Sequence, residues 1–275
     1  MTRKAARYWE GETLEALRER WDRPDVYVYA RIDSTNVRAR ELAEEDAPAG
    51  TIVLADEQVT GRGQRSRRWF SAKGAGLYLS LVLRPERLSN PTLVSLLAGL
   101  GMARAVDRLL GNGSAALKWP NDLILEDRKV GGALTEAVWA GDRPAHVILG
   151  LGINVHQERE DFPPVLRDVA ISLDMVAGEE VSRLELADLV LEEVEERCAR
   201  IPASLEPEQL RQLDDHDWLR DRRCAVVASE DADPQEGVAV GIAPDGALLF
   251  RPDSGALQRV KSGQVIAEDL RFPDY

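Results

Sequence analysis

The sequence has few cysteines and few histidines, and it has no long apolar run. Cys198 and Cys224 are its only cysteines, no CxxC motif occurs, and three histidines are spread along 275 residues. This excludes a disulfide framework and argues against a structural zinc site. The longest nearly uncharged stretch, residues 91–103, is too short to span a bilayer, and residues 1–21 contain no apolar signal segment. We therefore expect a cytoplasmic protein that contacts no membrane.

Basic residues are also in deficit, with 35 Lys and Arg against 48 Asp and Glu and a net charge of −13. Such a surface repels polyanions at long range, so we expect no nucleic-acid partner. An anionic ligand would need a local cluster of cations. With 44% hydrophobic residues the chain can bury a sizeable core.

The hydrophobic pattern predicts an α+β protein, a mixed β-sheet with helices packed on it. The expected strands are residues 26–32, 51–58, 76–85, 115–119, 123–127, 130–139 and 146–155, and the expected helices are 12–21, 35–46, 92–110 and 182–201. Beyond Trp218, short strands alternate with glycine-containing turns, a pattern typical of a small β-barrel. We place the domain boundary there, giving domains 1–217 and 218–275.

The first candidate for chemistry is the segment GRGQRSRRW, Gly61 to Trp69, with four arginines inside an acidic chain. Glycines allow the backbone to approach a ligand, and arginines donate forked hydrogen bonds to carboxylates or phosphates. Taken alone, such a run is more often a solvated loop or a nucleic-acid contact. Predicted strands on both sides suit a loop that is tethered over a sheet.

The second candidate is KWPNDLILEDRKVGG, Lys118 to Gly132. The Pro-Asn-Asp turn between two strands can bring Lys118 close to Lys129. A single lysine on a strand is usually solvated, but paired glycines inside a strand often mark the close approach of a ligand.

Two further segments carry weaker signals. GLGINV, residues 150–155, ends an apolar strand, and by itself it indicates only a buried strand before a turn. Residues 34–36, Ser-Thr-Asn, stand at a strand-to-helix junction where free N–H groups favour a polar or anionic ligand group, although a helix cap alone explains them.

Together and in this order, STN, Gln58, GRGxxxR-W, GLYLSL, KWPND, RKxGG and GxGIN resemble the motifs of the biotin–protein ligase family. The resemblance covers residues 27–213, and the C-terminal barrel resembles the SH3-like domain of that family. It implies a class II synthetase-like catalytic domain. Residues 1–26 are too few for a three-helix DNA-binding unit, so the resemblance implies a monofunctional ligase.

The family activity implied is the ATP-dependent formation of biotinyl-5′-AMP and its transfer to a lysine of a biotin carboxyl carrier domain. The resemblance assigns charge neutralisation to Arg62 and Lys129 as catalytic residues, with Mg²⁺ on the triphosphate. The biotin-binding residues implied are Ser34, Thr35, Asn36, Gln58, Gly61, Arg62, Gly63, Gln64, Lys129 and Gly132. Those implied for ATP or the adenylate are Lys118, Trp69, Asn121, Asp122 and Asn154, with Asn154 also a candidate near the metal, and Trp69 an exposed indole that covers adenine.

The segment from Gly61 to Trp69, here called the arginine loop, departs from the family pattern GRGRxGR at two positions. Gln64 replaces an arginine, and Ser66 replaces a glycine. A left-handed backbone at Ser66 would cost about 1–2 kcal/mol, and the lost cation predicts faster release of the adenylate. We also expect residues 61–73 to be mobile without ligand and ordered with the adenylate.

Two alternatives stay open at this level. A lipoate-type ligase would share the architecture and use a lysine at a place like Lys129. A non-enzymatic protein could use the arginine loop and the barrel to bind RNA. The oligomeric state is open, with a homodimer as one alternative.

Overall fold

The structure is a computed structural model that describes residues 3–88, 90–228 and 232–267. Its strands are β1 (Lys4–Ala5), β2 (Tyr8–Trp9), β3 (Glu12–Thr13), β4 (Val26–Arg31), β5 (Ile52–Ala55), β6 (Gly76–Leu83), β7 (Ala116–Lys118), β8 (Asp122–Leu125), β9 (Arg128–Ala140), β10 (Arg143–Asn154), β11 (Arg223–Val227), β12 (Gln235–Ile242), β13 (Leu248–Pro252), β14 (Gln258–Val260) and β15 (Gln264–Ala267). Its α-helices are α1 (Leu14–Arg20), α2 (Thr35–Glu44), α3 (Pro91–Leu110), α4 (Leu173–Ala177), α5 (Arg183–Cys198) and α6 (Pro207–His216). Short 3₁₀ turns lie at Gln64–Ser66 and Pro164–Leu166.

The main sheet of the described residues has eight strands in the order β1-β4-β5-β6-β10-β9-β8-β7. Strands β4 and β5 pair in parallel, with α2 between them in the chain, and the other neighbours pair antiparallel. The predicted mixed sheet is therefore confirmed. A parallel pair needs a crossover rather than a hairpin, and α2 provides it.

The longest helix, α3, packs against the sheet and against α5 within one large apolar core. It begins with an Asn90 side chain that accepts a hydrogen bond from the N–H of Thr92, and Pro91 follows at the first helical position. It ends at Gly111, whose φ of 68° is left-handed. These are the start and stop signals expected of an apolar helix.

The C-terminal strands form a five-stranded antiparallel sheet, in the order β14-β13-β12-β11-β15, that fits the predicted small barrel. It packs on the first part of the chain: Trp119 Nε1 donates to the carbonyl of Gly246 over 2.9 Å, and Gly246 lies against Leu93 and Leu96 of α3. The boundary between residues 217 and 218 falls between α6 and β11 and remains a prediction.

Several elements were absent from the sequence analysis. They are the short strands β1 to β3, α4 and α6. The predicted strands and helices agree with observed ones within a few residues, except that the strand expected over 51–58 ends at Ala55. No helix in the described part of the chain has the length and apolar character needed to cross a membrane.

Candidate active site

A cavity of about 450 Å³ lies where the main sheet, the arginine loop and the barrel meet. The predicted site residues that line it are Ser34, Thr35, Asn36, Gln58, Arg62, Gly63, Gln64, Trp69, Lys118, Asn121, Asp122, Lys129, Gly132 and Asn154. Gly61 does not line it. The structure thus gathers into one wall residues that are up to 120 positions apart in the chain.

The turn between β7 and β8, together with the β8–β9 hairpin, brings two lysines onto one carboxylate. Lys129 Nζ contacts Asp122 Oδ1, and Lys118 Nζ lies 3.6 Å from Asp122 Oδ2. Lys118 is 4% exposed and Asp122 is 9% exposed, so this cluster is shielded from bulk solvent. The predicted approach of Lys118 to Lys129 across this turn is confirmed.

Burial and mutual charge act in opposite directions on this cluster. Burial lowers the pKa of Lys118, although the neighbouring Asp122 works against that shift. Burial also opposes the ionised form of Asp122, but the two lysines outweigh it and lower the pKa of Asp122. Asp122 is therefore ionised at neutral pH, and it supports the charged form of Lys118.

The arginine loop is a short hairpin. Gly61 accepts a hydrogen bond from the N–H of Trp69 over 2.9 Å, and the N–H of Gly63 donates to Arg67 over 2.8 Å. A Cβ at Gly61 would lie 2.4 Å from the carbonyl oxygen of Trp69. Gly61 is thus needed for the close approach of the two arms, and it acts from behind the cavity wall.

The left-handed residue of this loop is Arg65, with φ 55° and ψ 44°. The expected strain is therefore located one residue before Ser66. The Arg65 guanidinium also reaches β15, where its Nη1 lies 3.4 Å from Gln264 Oε1. The loop is consequently attached to the barrel as well as to the sheet.

Trp69 lies on β10 rather than in solvent. Its indole is half-buried, and a Cβ at Gly152 would lie 2.7 Å from its Nε1. Lys129 Nζ is 5.6 Å from the ring centroid, within the range of a cation–π contact. The prediction of an exposed indole is wrong, because the missing side chain at Gly152 opens a space that the ring fills. Its role towards adenine remains a prediction.

Neutral polar groups surround Gln58 at another part of the cavity. The backbone N–H of Thr35, the first residue of α2, donates to Gln58 Oε1 over 2.8 Å, and Gln58 Nε2 donates to Ser71 Oγ over 3.0 Å. Ser34 stands at the N-cap position, but its side chain makes no capping hydrogen bond. Ser34 also lines the cavity.

The cavity floor shows how the two regions are arranged. On β10, Gly150 lies beneath Asn36 and Gly152 lies beneath Trp69. On the neighbouring strand β9, Gly132 pairs with Gly152 and lies near Asp122 and Lys129. Residues two apart on one strand share a face and are separated by roughly 7 Å. The neutral and cationic regions are thus consecutive along the floor.

Two asparagines expected to contact nucleotide or metal are engaged by the protein itself. Asn121 Nδ2 donates to the carbonyl of Ala133 over 2.5 Å. Asn154 Nδ2 donates to the carbonyl of Ile171 over 3.1 Å, and Asn154 Oδ1 accepts from Gln157 over 3.3 Å. Both hold the wall in shape, and their roles towards ligands remain predictions.

The described residues do not fit a protein-held Mg²⁺. No three or more His, Cys, Asp and Glu side chains converge in residues 3–88, 90–228 and 232–267, and Asp122 is engaged by two lysines.

Sequence reasoning did not find the part of the wall that the barrel and the 162–170 segment supply. The residues are Phe162, Leu166, Val169, Ala170, Gly263, Gln264, Val265 and Ile266. In the sequence, Ser262-Gly263 signals only a turn, and nothing local indicates which surface that turn will face.

Comparison with known proteins shows the family to which this chain belongs. Residues 28–154 match the model of the Biotin/lipoate A/B protein ligase family. The bifunctional ligase/repressor BirA of Bacillus spizizenii is 41% identical over 161 residues, which cover 58% of this chain and 49% of that protein. The chain therefore matches about half the length of that relative. The biotin–[acetyl-CoA-carboxylase] ligase of Paracoccus denitrificans is 32% identical over 246 residues, covering 83% of this chain and 95% of the relative. The chain belongs to the biotin–protein ligase family.

The fold of this biotin–protein ligase family member agrees with a solved structure. The biotin protein ligase from Aquifex aeolicus, in complex with biotin and ATP, superimposes with a TM-score of 0.74 at 26% identity. The superposition covers 89% of this chain and 99% of the other. The match thus extends over the main sheet and into the C-terminal barrel.

Proposed function

We propose that this protein activates biotin with ATP and transfers the biotinyl group to a lysine of an acceptor protein. In the first step, a carboxylate oxygen of biotin attacks the α-phosphorus of ATP, which forms biotinyl-5′-AMP and releases pyrophosphate. In the second step, the amine of the acceptor lysine attacks the carbonyl carbon of the mixed anhydride. An amide forms, AMP leaves, and the amine loses one proton.

The observation that carries this proposal is the charge of the cavity lining. Among the described residues, six cations and one carboxylate line it, in a chain with a net charge of −13. The cations are Arg62, Arg65, Arg67, Arg68, Lys118 and Lys129. A carboxylate and a polyphosphate at 4 Å repel by about 4 kcal/mol per pair of unit charges at an effective dielectric near 20. A preorganised set of cations offsets that repulsion where the two anions must meet.

The buried Lys118 and the half-buried Lys129 suit the two ends of the reacting group. Lys129 lies between Asp122 and the Trp69 ring, next to Gly132 on the floor, and we assign it to the carboxylate and the α-phosphate. Lys118 is deeper and is assigned to the nucleotide phosphates. Arg62 is exposed on the hairpin, so it reaches the reacting groups when the hairpin folds over them.

The arginine loop is also proposed to exclude water, because the mixed anhydride biotinyl-5′-AMP is hydrolysed if water reaches it. A loop with attachments to both the sheet and the barrel can cover the cavity and exclude water until the acceptor arrives. Residues 61–73 are therefore proposed to close over the adenylate.

The acceptor is proposed to be the biotin carboxyl carrier domain of a biotin-dependent carboxylase, and the place of action to be the cytoplasm. ATP is proposed to enter with Mg²⁺ on its triphosphate.

The test is pyrophosphate release from ATP in the presence of biotin, followed by labelling of a carrier lysine with labelled biotin. Lys129→Ala should lower pyrophosphate release by about 100-fold or more, as removal of a preorganised charge contact does. Lys4→Ala, which changes an exposed lysine on β1, is the matched control and should retain the native rate. Undiminished release by Lys129→Ala, or release with lipoate but not with biotin, would refute the proposal.

A further inference from the structure

A chain of hydrogen bonds runs behind the neutral end of the cavity. It starts at Glu136 on β9 and passes through Asn36 and Ser80 to Thr35. Asn36 Nδ2 donates to Glu136 Oε2 over 2.9 Å, and Ser80 Oγ lies 2.6 Å from Asn36 Oδ1 and 2.8 Å from Thr35 Oγ1. Ser80 is fully buried, so water does not supply an alternative partner.

The charge on Glu136 fixes the direction of every bond in this chain. Arg40 Nη2 donates to Glu136 Oε1 over 2.5 Å, and an ionised carboxylate can only accept. The amide of Asn36 must therefore turn its nitrogen towards Glu136 and its oxygen towards Ser80. A Cβ at Gly150 would lie 2.1 Å from Asn36 Oδ1, so glycine is required for this amide to occupy its place.

The direction of hydrogen-bond donation at Thr35 follows from that at Asn36. Asn36 Oδ1 carries no hydrogen, so it takes the single hydrogen of the Ser80 hydroxyl. Ser80 Oγ consequently accepts from Thr35 Oγ1. The second oxygen near Thr35 is Gln58 Oε1, at 3.1 Å, and it also bears no hydrogen. The hydrogen of Thr35 is thus used inside the wall on Ser80 Oγ, and a lone pair of Thr35 Oγ1 remains for the cavity.

Thr35 Oγ1 and Gln58 Oε1 therefore form a pair of acceptors at the cavity wall. Thr35 Oγ1 donates its hydrogen to Ser80, and Gln58 Oε1 accepts from the backbone N–H of Thr35. Each oxygen keeps a lone pair for an N–H of a ligand, and the two oxygens are 3.1 Å apart. We propose that Glu136 is a positioning residue that, through Asn36 and Ser80, sets Thr35 Oγ1 as an acceptor beside Gln58 Oε1 for a ring N–H of the substrate. This inference rests on the proposed function, in which that N–H belongs to the ureido ring of biotin.

The same polarity selects against other head groups. A dithiolane ring, as in lipoate, has no N–H to donate, so it would leave the buried Thr35 Oγ1 without a donor. The preference for a head group that bears an N–H therefore depends on the carboxylate of Glu136, although Glu136 does not itself line the cavity.

The test compares biotin with biotins methylated singly at each ureido nitrogen, by calorimetric titration without nucleotide. The variant is Glu136→Gln, which keeps the shape but lets the Asn36 amide turn either way. We expect the affinity for biotin to fall about tenfold, the loss of one hydrogen bond to a buried group. The analogue methylated at the nitrogen that faces Thr35 and Gln58 cannot donate this hydrogen bond, so the variant should bind it as tightly as the native protein does. The ratio of the affinity for biotin to the affinity for this analogue should therefore fall tenfold. In turnover, KM for biotin should rise with kcat nearly unchanged.

Ser80→Ala provides an independent second variant, because it interrupts the same chain without a change of charge, and it should give the same fall in the affinity ratio. Glu180→Gln, which changes an exposed carboxylate, is the control. Native discrimination in both variants would overturn the inference, and so would an equal loss for biotin, its analogues and ATP, the result of a general structural role. If the native protein binds no biotin, both the proposed function and this inference are refuted. If the native protein binds biotin and both variants bind it equally well, only the inference is refuted.

Discussion

Removal of the carboxylate between the two lysines is the sharpest test of the cationic end of the cavity. Asp122→Asn keeps the shape of the side chain but takes away its charge. Lys118 and Lys129 then lose the carboxylate that both of them contact, and Lys118 is almost fully buried. The variant therefore tests whether this cluster is held together by electrostatics.

The size of the effect follows from the distance. At 3.6 Å and an effective dielectric of 20, the attraction between Lys118 and Asp122 is about 5 kcal/mol. Part of it is recovered when the site relaxes, so we expect the free energy of unfolding at pH 7 to fall by about 3 kcal/mol, the size found when one partner of a buried ion pair is removed.

The pH dependence has a definite sign. Burial already lowers the pKa of Lys118, and Asp122 opposes that shift, so the variant should lower the pKa of Lys118 further. The unfolded chain then binds more protons than the folded one as pH rises from neutral towards the ordinary lysine pKa. Stability increases with pH under that condition. The destabilisation of Asp122→Asn should therefore be greatest near pH 7 and should shrink towards pH 10.

The assay is urea unfolding at pH 7, 8, 9 and 10, with and without ATP. ATP should stabilise the variant more than the native protein, because its phosphates supply the missing negative charge. Asp168→Asn, at a side chain that is 83% exposed, is the matched control and should change little. A native-like unfolding curve for Asp122→Asn at pH 7, or a destabilisation that grows with pH, would refute the electrostatic reasoning.

Three further outcomes are expected. Gln64→Arg should retain the adenylate about tenfold longer than the native protein, since it restores a charge-assisted hydrogen bond; equal release in a filter-binding chase would contradict this. Biotin with ATP should protect residues 61–73 from limited proteolysis, and cleavage at the same rate with and without ligands would count against closure. Gly150→Ala should weaken biotin binding and reduce stability by about 1–3 kcal/mol, because its Cβ would displace Asn36; calorimetry and urea unfolding measure both, and native values would be inconsistent with the described packing.

Much of the main sheet was predictable because each of its strands has a characteristic hydrophobic pattern within its own residues. Apolar runs such as 76–83 and 146–153 belong to central strands that are covered on both faces, and the sequence shows them as nearly continuous hydrophobic stretches. The predicted approach of Lys118 to Lys129 was equally local, since one tight turn and one hairpin bring them together; their shared contact with Asp122 was not predicted.

The remaining features depend on contacts between distant segments. Trp69 was expected in solvent because an indole in a polar loop carries no signal of the glycine on which it will lie. The wall supplied by Gln264 and its neighbours depends on how the barrel docks on α3, which no pattern within residues 258–267 encodes. Glu136 was overlooked for a related reason: its position on β9 indicates a surface carboxylate, and only the fold places it behind Asn36.

Under the proposed function, the arrangement of charge along the cavity also predicts one orientation of the substrate. Acceptor oxygens of Thr35 and Gln58 surround one end, and the lysine cluster lies about one step further along the β9–β10 floor. A ligand with a neutral N–H-bearing ring and a carboxylate gains at both ends in one orientation. In the reverse orientation its carboxylate would face lone pairs and its ring would face cations, and both contacts are unfavourable. Because the phosphates are attracted to the same cations, the favoured orientation is also the one in which the carboxylate meets the nucleotide.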